Sequence, residues 1–111
     1  MIQRLCLLFF VFLVFTACEE KEEIPKQSYL ALGDSYTIGE SVTEDNRWPN
    51  QLVKSLEKES IFINRPQIIA RTGWTTSDLK MGIDNTALDF PYDWVSLLIG
   101  VNNQYQGKSI W

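Results

Sequence analysis

Three short segments of the sequence combine residue types that are able to act together on a substrate. Residues 33–36 (GDSY) contain a serine hydroxyl, residues 71–74 (RTGW) contain a glycine, and residues 100–103 (GVNN) contain a side-chain amide. Each segment follows a short apolar run that is typical of a buried strand. In parallel sheets, ligands bind at the carboxyl ends of the strands. The positions of the three segments therefore predict that the polar groups of Ser35, Gly73 and Asn102 converge on one point.

Each of these residues also has an ordinary structural interpretation. Gly33 fits a tight turn, Asp34 and Ser35 fit a helix cap, and Asn102 fits a turn. Short motifs match by chance, so none of the three segments decides a function alone. The combination is more informative, because the three segments follow three successive strands.

The segments must be positioned by alternating strands and helices. Apolar runs predict strands over residues 29–32, 67–70 and 94–99, the first ended by Gly33 and the last by Gly100. Turn chemistry is expected at Asn102 and Asn103. The order β-α-β-α-β is typical of a doubly wound parallel sheet with helices on both faces, which is an α/β fold.

Two helices are predicted between the strands. The first begins at Trp48, with Pro49 suited to its first turn, and it presents an apolar face of Trp48, Leu52, Val53 and Leu56. Residues 75–78 (TTSD) offer several N-caps for the second helix, which would bury Leu79 and Ile83.

Composition excludes several classes of function. The chain has 111 residues, a formal net charge of −4, two cysteines and no histidine. An acidic chain of this length lacks the basic face that nucleic acid requires. The sequence shows no metal-ligating cluster, no phosphate-binding loop and no sign of a redox cofactor, so no cofactor is expected. Without histidine, no mechanism that needs an imidazole base is complete within these residues.

The N-terminus is interpreted as a targeting segment. A basic Arg4 precedes the apolar residues 5–14, a run too short to span a bilayer but typical of a signal peptide. Thr16-Ala17-Cys18 resembles a lipobox. Residues 1–17 are thus predicted to be a lipoprotein signal, with lipidated Cys18 anchoring the protein in a bacterial cell envelope, facing the periplasm or the cell surface. An uncleaved anchor and a plain secretory signal remain alternatives. Residues 18–27 are expected to form an acidic tether, and the folded part is expected to begin near Ser28.

The three segments together resemble the sequence blocks of the GDSL-type (SGNH) serine ester hydrolases. Residues 33–36 are similar to the first block, Gly73 falls where the second-block glycine belongs, and residues 100–103 resemble the third block, Gly-x-Asn-Asp, with Asn103 in place of the aspartate. The resemblance implies a three-layer α/β/α, flavodoxin-like fold with strand order 2-1-3-4-5. Only about the first three strands are predicted here, so the resemblance implies that residues 28–111 form a partial hydrolase domain of this type.

The resemblance also implies roles for single residues. Ser35 would be the nucleophile, and the oxyanion would be held by the backbone N–H groups of Ser35 and Gly73 and by the amide of Asn102. Gly33, Asp34 and Gly100 would be structural, with Asp34 holding the loop around Ser35. The substrate would be a small ester, either an acyl ester or an acetylated carbohydrate.

One block of that family, Asp-x-x-His, has no counterpart in the sequence. Because this block supplies the base, the chain alone is predicted to be inactive or nearly so, and it is interpreted as a truncated form of the domain. The third strand would be left as an uncovered edge. Two alternatives remain: a non-catalytic lipoprotein that binds an acyl or sugar ligand near Trp74 and Tyr105, and a half-domain completed by a second chain.

Overall fold

A computed structural model describes residues 23–110. The predicted signal peptide, Cys18 and the first part of the predicted tether lie outside the described residues. Three parallel strands form one sheet in the order β2-β1-β3, with β1 at Tyr29–Gly33, β2 at Gln67–Ala70 and β3 at Trp94–Leu98. The predicted α/β class is confirmed, and so is the 2-1-3 order of these strands.

Within residues 23–110, four α-helices accompany the sheet. They are α1 (Ser35–Ile38), α2 (Trp48–Lys58), α3 (Thr76–Asp84) and α4 (Val101–Tyr105). The expected turn at Asn102 and Asn103 is wrong, because both residues lie within α4. Gly100, with φ of 120°, is the N-cap residue of α4, so the chain enters a helix where a turn was expected. None of the described helices is long and apolar enough to cross a membrane.

One face of the sheet packs against α2. Tyr29 and Ala31 of β1 form a buried cluster with Ile63, and Val53 and Leu56 of α2 pack against it. Apolar burial of this kind is the main contribution to folding free energy. The packing of Val53 and Leu56 against this cluster therefore holds α2 on the sheet.

The predicted apolar face of α2 is wrong at Leu52, whose side chain is 40% exposed. The buried side of the helix instead begins with Pro49 and Asn50. Asn50 Nδ2 donates to the Glu44 carbonyl oxygen at 2.6 Å. That hydrogen bond fixes the first turn of the helix in a rotation that leaves Leu52 outside.

The opposite face packs against α3, as predicted. Leu30, Ile69 and Leu79 form its buried cluster, with Ile83 packed beside them. Among the four cap candidates, Thr75 is the N-cap, and it exchanges hydrogen bonds with Asp78 in a capping box. The Thr75 hydroxyl and backbone N–H both donate to the Asp78 carboxylate and lower the pKa of Asp78.

The start of β1 is tied to the chain just before β3. The Ser28 backbone N–H and hydroxyl donate to Asp93 Oδ2 at 2.7 and 2.8 Å, and the Asp93 N–H donates back to Ser28 Oγ at 2.9 Å. These hydrogen bonds lower the pKa of Asp93. Backbone pairing begins one residue before Ser28, where Gln27 forms a parallel bridge with Ile63.

Strand β3 lies at one edge of the sheet and exposes both of its faces. Trp94 and Leu98 are 46% and 48% exposed, and Val95 and Leu97, on the other face, are 59% and 64% exposed. In the register, Trp94 pairs with buried Tyr29 and Val95 with buried Leu30. Apolar residues on both faces are typical of a strand that is covered by helices on each side.

Candidate active site

Ser35 is the first residue of α1, directly after β1. Buried Asp34 is the N-cap of this helix, and its Oδ1 accepts a hydrogen bond from the Tyr36 backbone N–H at 3.0 Å. The carboxylate therefore holds the loop that presents Ser35. Within the described part of the chain, Ser35 Oγ has no hydrogen-bond partner, and the side chain is half-buried.

Gly33 allows the first and third strand ends to meet. A Cβ atom at this position would lie 2.2 Å from Thr37 Oγ1 and 2.6 Å from the Leu98 carbonyl oxygen. Since real Cβ atoms do not approach so closely, only glycine fits between α1 and the end of β3. The close approach brings the Ser35 loop next to the segment that leads into α4.

Gly73 lies in the exposed loop after β2, with φ of 82°. This left-handed conformation favours glycine. Two side chains of the α4 region donate to the carbonyl groups of the loop: Asn102 Nδ2 to Trp74 O at 2.9 Å and Gln106 Nε2 to Gly73 O at 3.3 Å. The second and third segments are thus joined by hydrogen bonds.

Asn103 adds further contacts between the same two regions. Its Oδ1 accepts from the Thr76 backbone N–H at 2.9 Å, and its Nδ2 donates to Thr76 Oγ1 at 2.9 Å and to Ser109 O at 2.7 Å. The side chain is 1% exposed. Asn103 therefore connects the start of α3 with the chain that follows α4.

Sequence reasoning missed a contact between the loop after α1 and the second segment. Thr72 Oγ1 donates a hydrogen bond to Glu40 Oε2, across 32 positions in the sequence. Gln106 was missed as well. Neither contact can be recognised from a local sequence pattern, because each joins residues that are far apart in the sequence.

The structure therefore brings together the three loops that hold Ser35, Gly73 and Asn102. An open depression beside Ser35 is lined by Asp34, Tyr36, Leu98, Ile99 and Val101, most of them apolar. Tyr105, predicted beside a ligand pocket, is 80% exposed. Trp74 instead packs inward: a Cβ atom at Gly82 would lie 2.4 Å from the Trp74 ring. A serine hydroxyl, a glycine peptide and an asparagine amide thus lie on adjoining loops, and these are residue types that acyl-transfer sites use.

Comparison with known proteins agrees with this geometry. Residues 31–110 match the model of the GDSL-like Lipase/Acylhydrolase family. The chain belongs to this family. Its members are hydrolases of the SGNH type, and the α/β sheet described above has the fold of that group. No curated protein matches the chain significantly.

Solved structures of an esterase share the fold of this GDSL-like chain. It is similar to AlinE4, an SGNH-hydrolase family esterase, with 25% sequence identity and a TM-score of 0.60. Two AlinE4 variants with single alanine substitutions match with the same TM-score, at 24% and 25% identity. Each match covers 78% of this chain and 47% of the other. The chain thus spans about half the length of these esterases.

Proposed function

We propose that the chain supplies the nucleophile and the oxyanion donors of an ester hydrolase. Ser35 Oγ attacks the carbonyl carbon of a small acyl ester or acetylated carbohydrate, and its proton passes to a base. The ester C–O bond then breaks, the alcohol leaves, and water hydrolyses the acyl-serine. The observation that carries this proposal is the free Ser35 hydroxyl at the start of α1, on a loop held by Asp34.

The tetrahedral intermediate requires donors where its negative charge develops. We assign this role to the backbone N–H groups of Ser35 and Gly73 and to the side-chain amide of Asn102. Asn102 Nδ2 gives one hydrogen to Trp74 O at 2.9 Å, which orients the amide and leaves its second hydrogen for the substrate. Glycine at position 73 lets the backbone approach the substrate closely. Gly33, Asp34 and Gly100 shape the surrounding loops.

The base of the reaction comes from outside these 111 residues, because the sequence contains no histidine. In a serine protease, loss of the histidine alone costs on the order of 10⁶ in turnover, or roughly 8 kcal/mol at about 1.4 kcal/mol per decade. The chain by itself is therefore expected to hydrolyse esters barely above background.

Added imidazole provides a base with which to test the proposal. The chain is incubated with p-nitrophenyl acetate and imidazole, and acetylated residues are identified by mass spectrometry. We expect imidazole-dependent acetylation of Ser35 that is abolished in Ser35→Ala and reduced in Asn102→Ala. Ser55→Ala, at an exposed serine of α2, is the matched control. Equal acetylation of Ser35 and Ser55 would argue against a nucleophile at Ser35.

A half-domain completed by a second chain is the alternative that one observation favours. The four large apolar residues of β3 are 46–64% exposed, so a further strand with its helices would bury them. In this alternative, ester hydrolysis appears only when a polypeptide containing the Asp-x-x-His block is added. Full activity of the chain alone would contradict it.

The location of the protein is proposed from the sequence of its N-terminus. We propose cleavage after Ala17 and lipidation of Cys18, which would hold the domain at a membrane of the bacterial envelope, facing the periplasm or the surface. Mass spectrometry of the mature N-terminus tests this. We expect the mass of a lipid on Cys18 and recovery of the protein in the membrane fraction, and both should be lost in Cys18→Ala. An unmodified N-terminus that still contains Cys6 would overturn the proposal.

A further inference from the structure

Gly73 has open space on the side where a side chain would lie. The residue is exposed, and no heavy atom outside its chain neighbours lies within 4 Å of the position that a Cβ atom would occupy. An exposed glycine has access to several backbone conformations. The direction of its N–H group must therefore depend on the hydrogen bonds of the loop.

The Trp74 backbone N–H closes the turn around Gly73 by donating to the Arg71 carbonyl oxygen at 3.2 Å. The side-chain hydrogen bonds on the C-terminal side of Gly73 come from the α4 region. Gln106 Nε2 donates to the Gly73 carbonyl oxygen at 3.3 Å, and Asn102 Nδ2 donates to the Trp74 carbonyl oxygen at 2.9 Å. These bonds fix the peptide that follows Gly73. The Gly73 N–H belongs to the preceding peptide, which joins it to Thr72.

On the N-terminal side, the hydrogen bond comes from Glu40. The Thr72 hydroxyl donates to the Glu40 carboxylate, and a charged acceptor makes such a bond stronger than one between neutral groups. The Glu40 backbone N–H in turn donates to the Ser35 carbonyl oxygen at 3.1 Å. Glu40 therefore bonds both to Ser35 and to the residue immediately before Gly73.

We infer that Glu40 and Thr72 are positioning residues that orient the Gly73 N–H toward the site of Ser35. The Thr72 side chain anchors the chain on the N-terminal side of this peptide, and the bond from Gln106 to Gly73 O holds the next peptide along the chain. The turn bond from Trp74 N–H to Arg71 O is compatible with either orientation of the central peptide. Loss of the Thr72 anchor therefore lets this peptide rotate and turn its N–H away. The catalytic consequence rests on the proposed function, whereas the effect on the loop does not.

Backbone ¹⁵N relaxation of the Gly73 amide tests the effect on the loop in the chain as it stands. Glu40→Ala and Thr72→Val remove the hydrogen bond, so we expect the Gly73 order parameter to fall in both variants. Glu40→Gln and Thr72→Ser keep an acceptor and a hydroxyl, and should restore most of the order. Glu57→Ala, at an exposed glutamate of α2, is the control. An unchanged Gly73 amide in both Glu40→Ala and Thr72→Val would overturn the inference.

The rate of imidazole-supported acetylation of Ser35 tests the consequence for the reaction. Glu40→Ala and Thr72→Val should lower the maximal acetylation rate between about two- and tenfold, the range that one hydrogen bond of ordinary net strength supports. The p-nitrophenyl acetate concentration at half-maximal rate should stay the same, because the donor acts on the oxyanion and not on the bound ester. A loss confined to that concentration would contradict the positioning role. If Ser35 is acetylated in no variant, the proposed function fails, while the Gly73 relaxation still decides the inference.

Discussion

Asn103 and Thr76 form two hydrogen bonds with each other, one in each direction. Asn103 Oδ1 accepts from the Thr76 backbone N–H, and Asn103 Nδ2 donates to the Thr76 hydroxyl, both at 2.9 Å. The second amide hydrogen of Asn103 goes to the carbonyl oxygen of Ser109 at 2.7 Å. A side chain that accepts once and donates twice suits these three partners, whereas an aspartate at this position would only accept.

Replacement of Asn103 should therefore destabilise the protein according to how many partners are lost. Asn103→Leu leaves all three hydrogen-bonding groups without this buried side chain, and we expect a loss of about 1–3 kcal/mol in the free energy of unfolding. Asn103→Asp should cost less, because the carboxylate still accepts from Thr76 at the favourable N-terminus of α3. Urea unfolding followed by tryptophan fluorescence measures both. Gln104→Leu, at the exposed neighbouring position, is the control, and equal losses in all three variants would contradict the assigned contacts.

Gly33 should not tolerate even a single added methyl group. Alanine there would place Cβ 2.2 Å from Thr37 Oγ1 and 2.6 Å from the Leu98 carbonyl oxygen. Overpacking of this kind typically costs about 1–3 kcal/mol. We expect Gly33→Ala to lower the midpoint of thermal unfolding. In the double variant with Thr37→Ala, part of the loss should be recovered, because the shortest of the three close contacts, with Thr37 Oγ1, is removed, whereas those with Leu98 O and with Cβ of residue 37 remain. A Gly33→Ala variant as stable as the parent would show that β1 and β3 are further apart.

Asp93 should make stability depend on acid pH. The bonds from Ser28 hold the pKa of Asp93 below its ordinary value in the folded state. Such a group stabilises the fold at every pH above its unfolded pKa, near 4, and this contribution is lost as the pH falls through the lower folded pKa. Asp93→Asn should therefore be less stable than the parent at neutral pH and should lose less on acidification. Urea unfolding at pH 7 and at about pH 3 measures the difference, with Asp89→Asn as the control for loss of one carboxylate. Parallel pH profiles of parent and Asp93→Asn would argue against the assignment.

The elements of the fold were predictable because their signals are local. Period and composition predicted the strands, and the several N-cap candidates in residues 75–78 predicted the start of α3. Leu52 was predicted wrongly because the rotation of α2 depends on the bond between Asn50 and Glu44, which no periodicity reveals. The asparagines of α4 were predicted as a turn since their residue type favours turns. Their long-range bonds to Trp74 and Thr76 were invisible in the sequence. The site roles of Ser35, Gly73 and Asn102 came from a family resemblance and stay predictions.

A charged residue in place of an exposed apolar residue of β3 should leave the fold intact. Leu97 is 64% exposed at the sheet edge, whereas Leu30 in the neighbouring strand is 3% exposed. We expect Leu97→Lys to change the free energy of unfolding by less than about 0.5 kcal/mol. It should also reduce concentration-dependent association, because charged residues protect a sheet edge. Leu30→Lys should prevent folding. Light scattering and urea unfolding check the pair, and a strongly destabilised Leu97→Lys would mean that this face is covered.

The strand order β2-β1-β3 has a consequence for the synthesis of the protein. Strand β1 lies at the centre of the sheet, yet its residues leave the ribosome first. Its partners follow much later, with Leu30 pairing with Gln67 on one side and Val95 on the other. The apolar residues Tyr29, Leu30 and Ala31 therefore stay unpaired until β2 has been made, and unpaired on their other side until β3 has been made. Because non-local parallel pairing is intrinsically slow, the nascent chain should depend on a holding chaperone during translation.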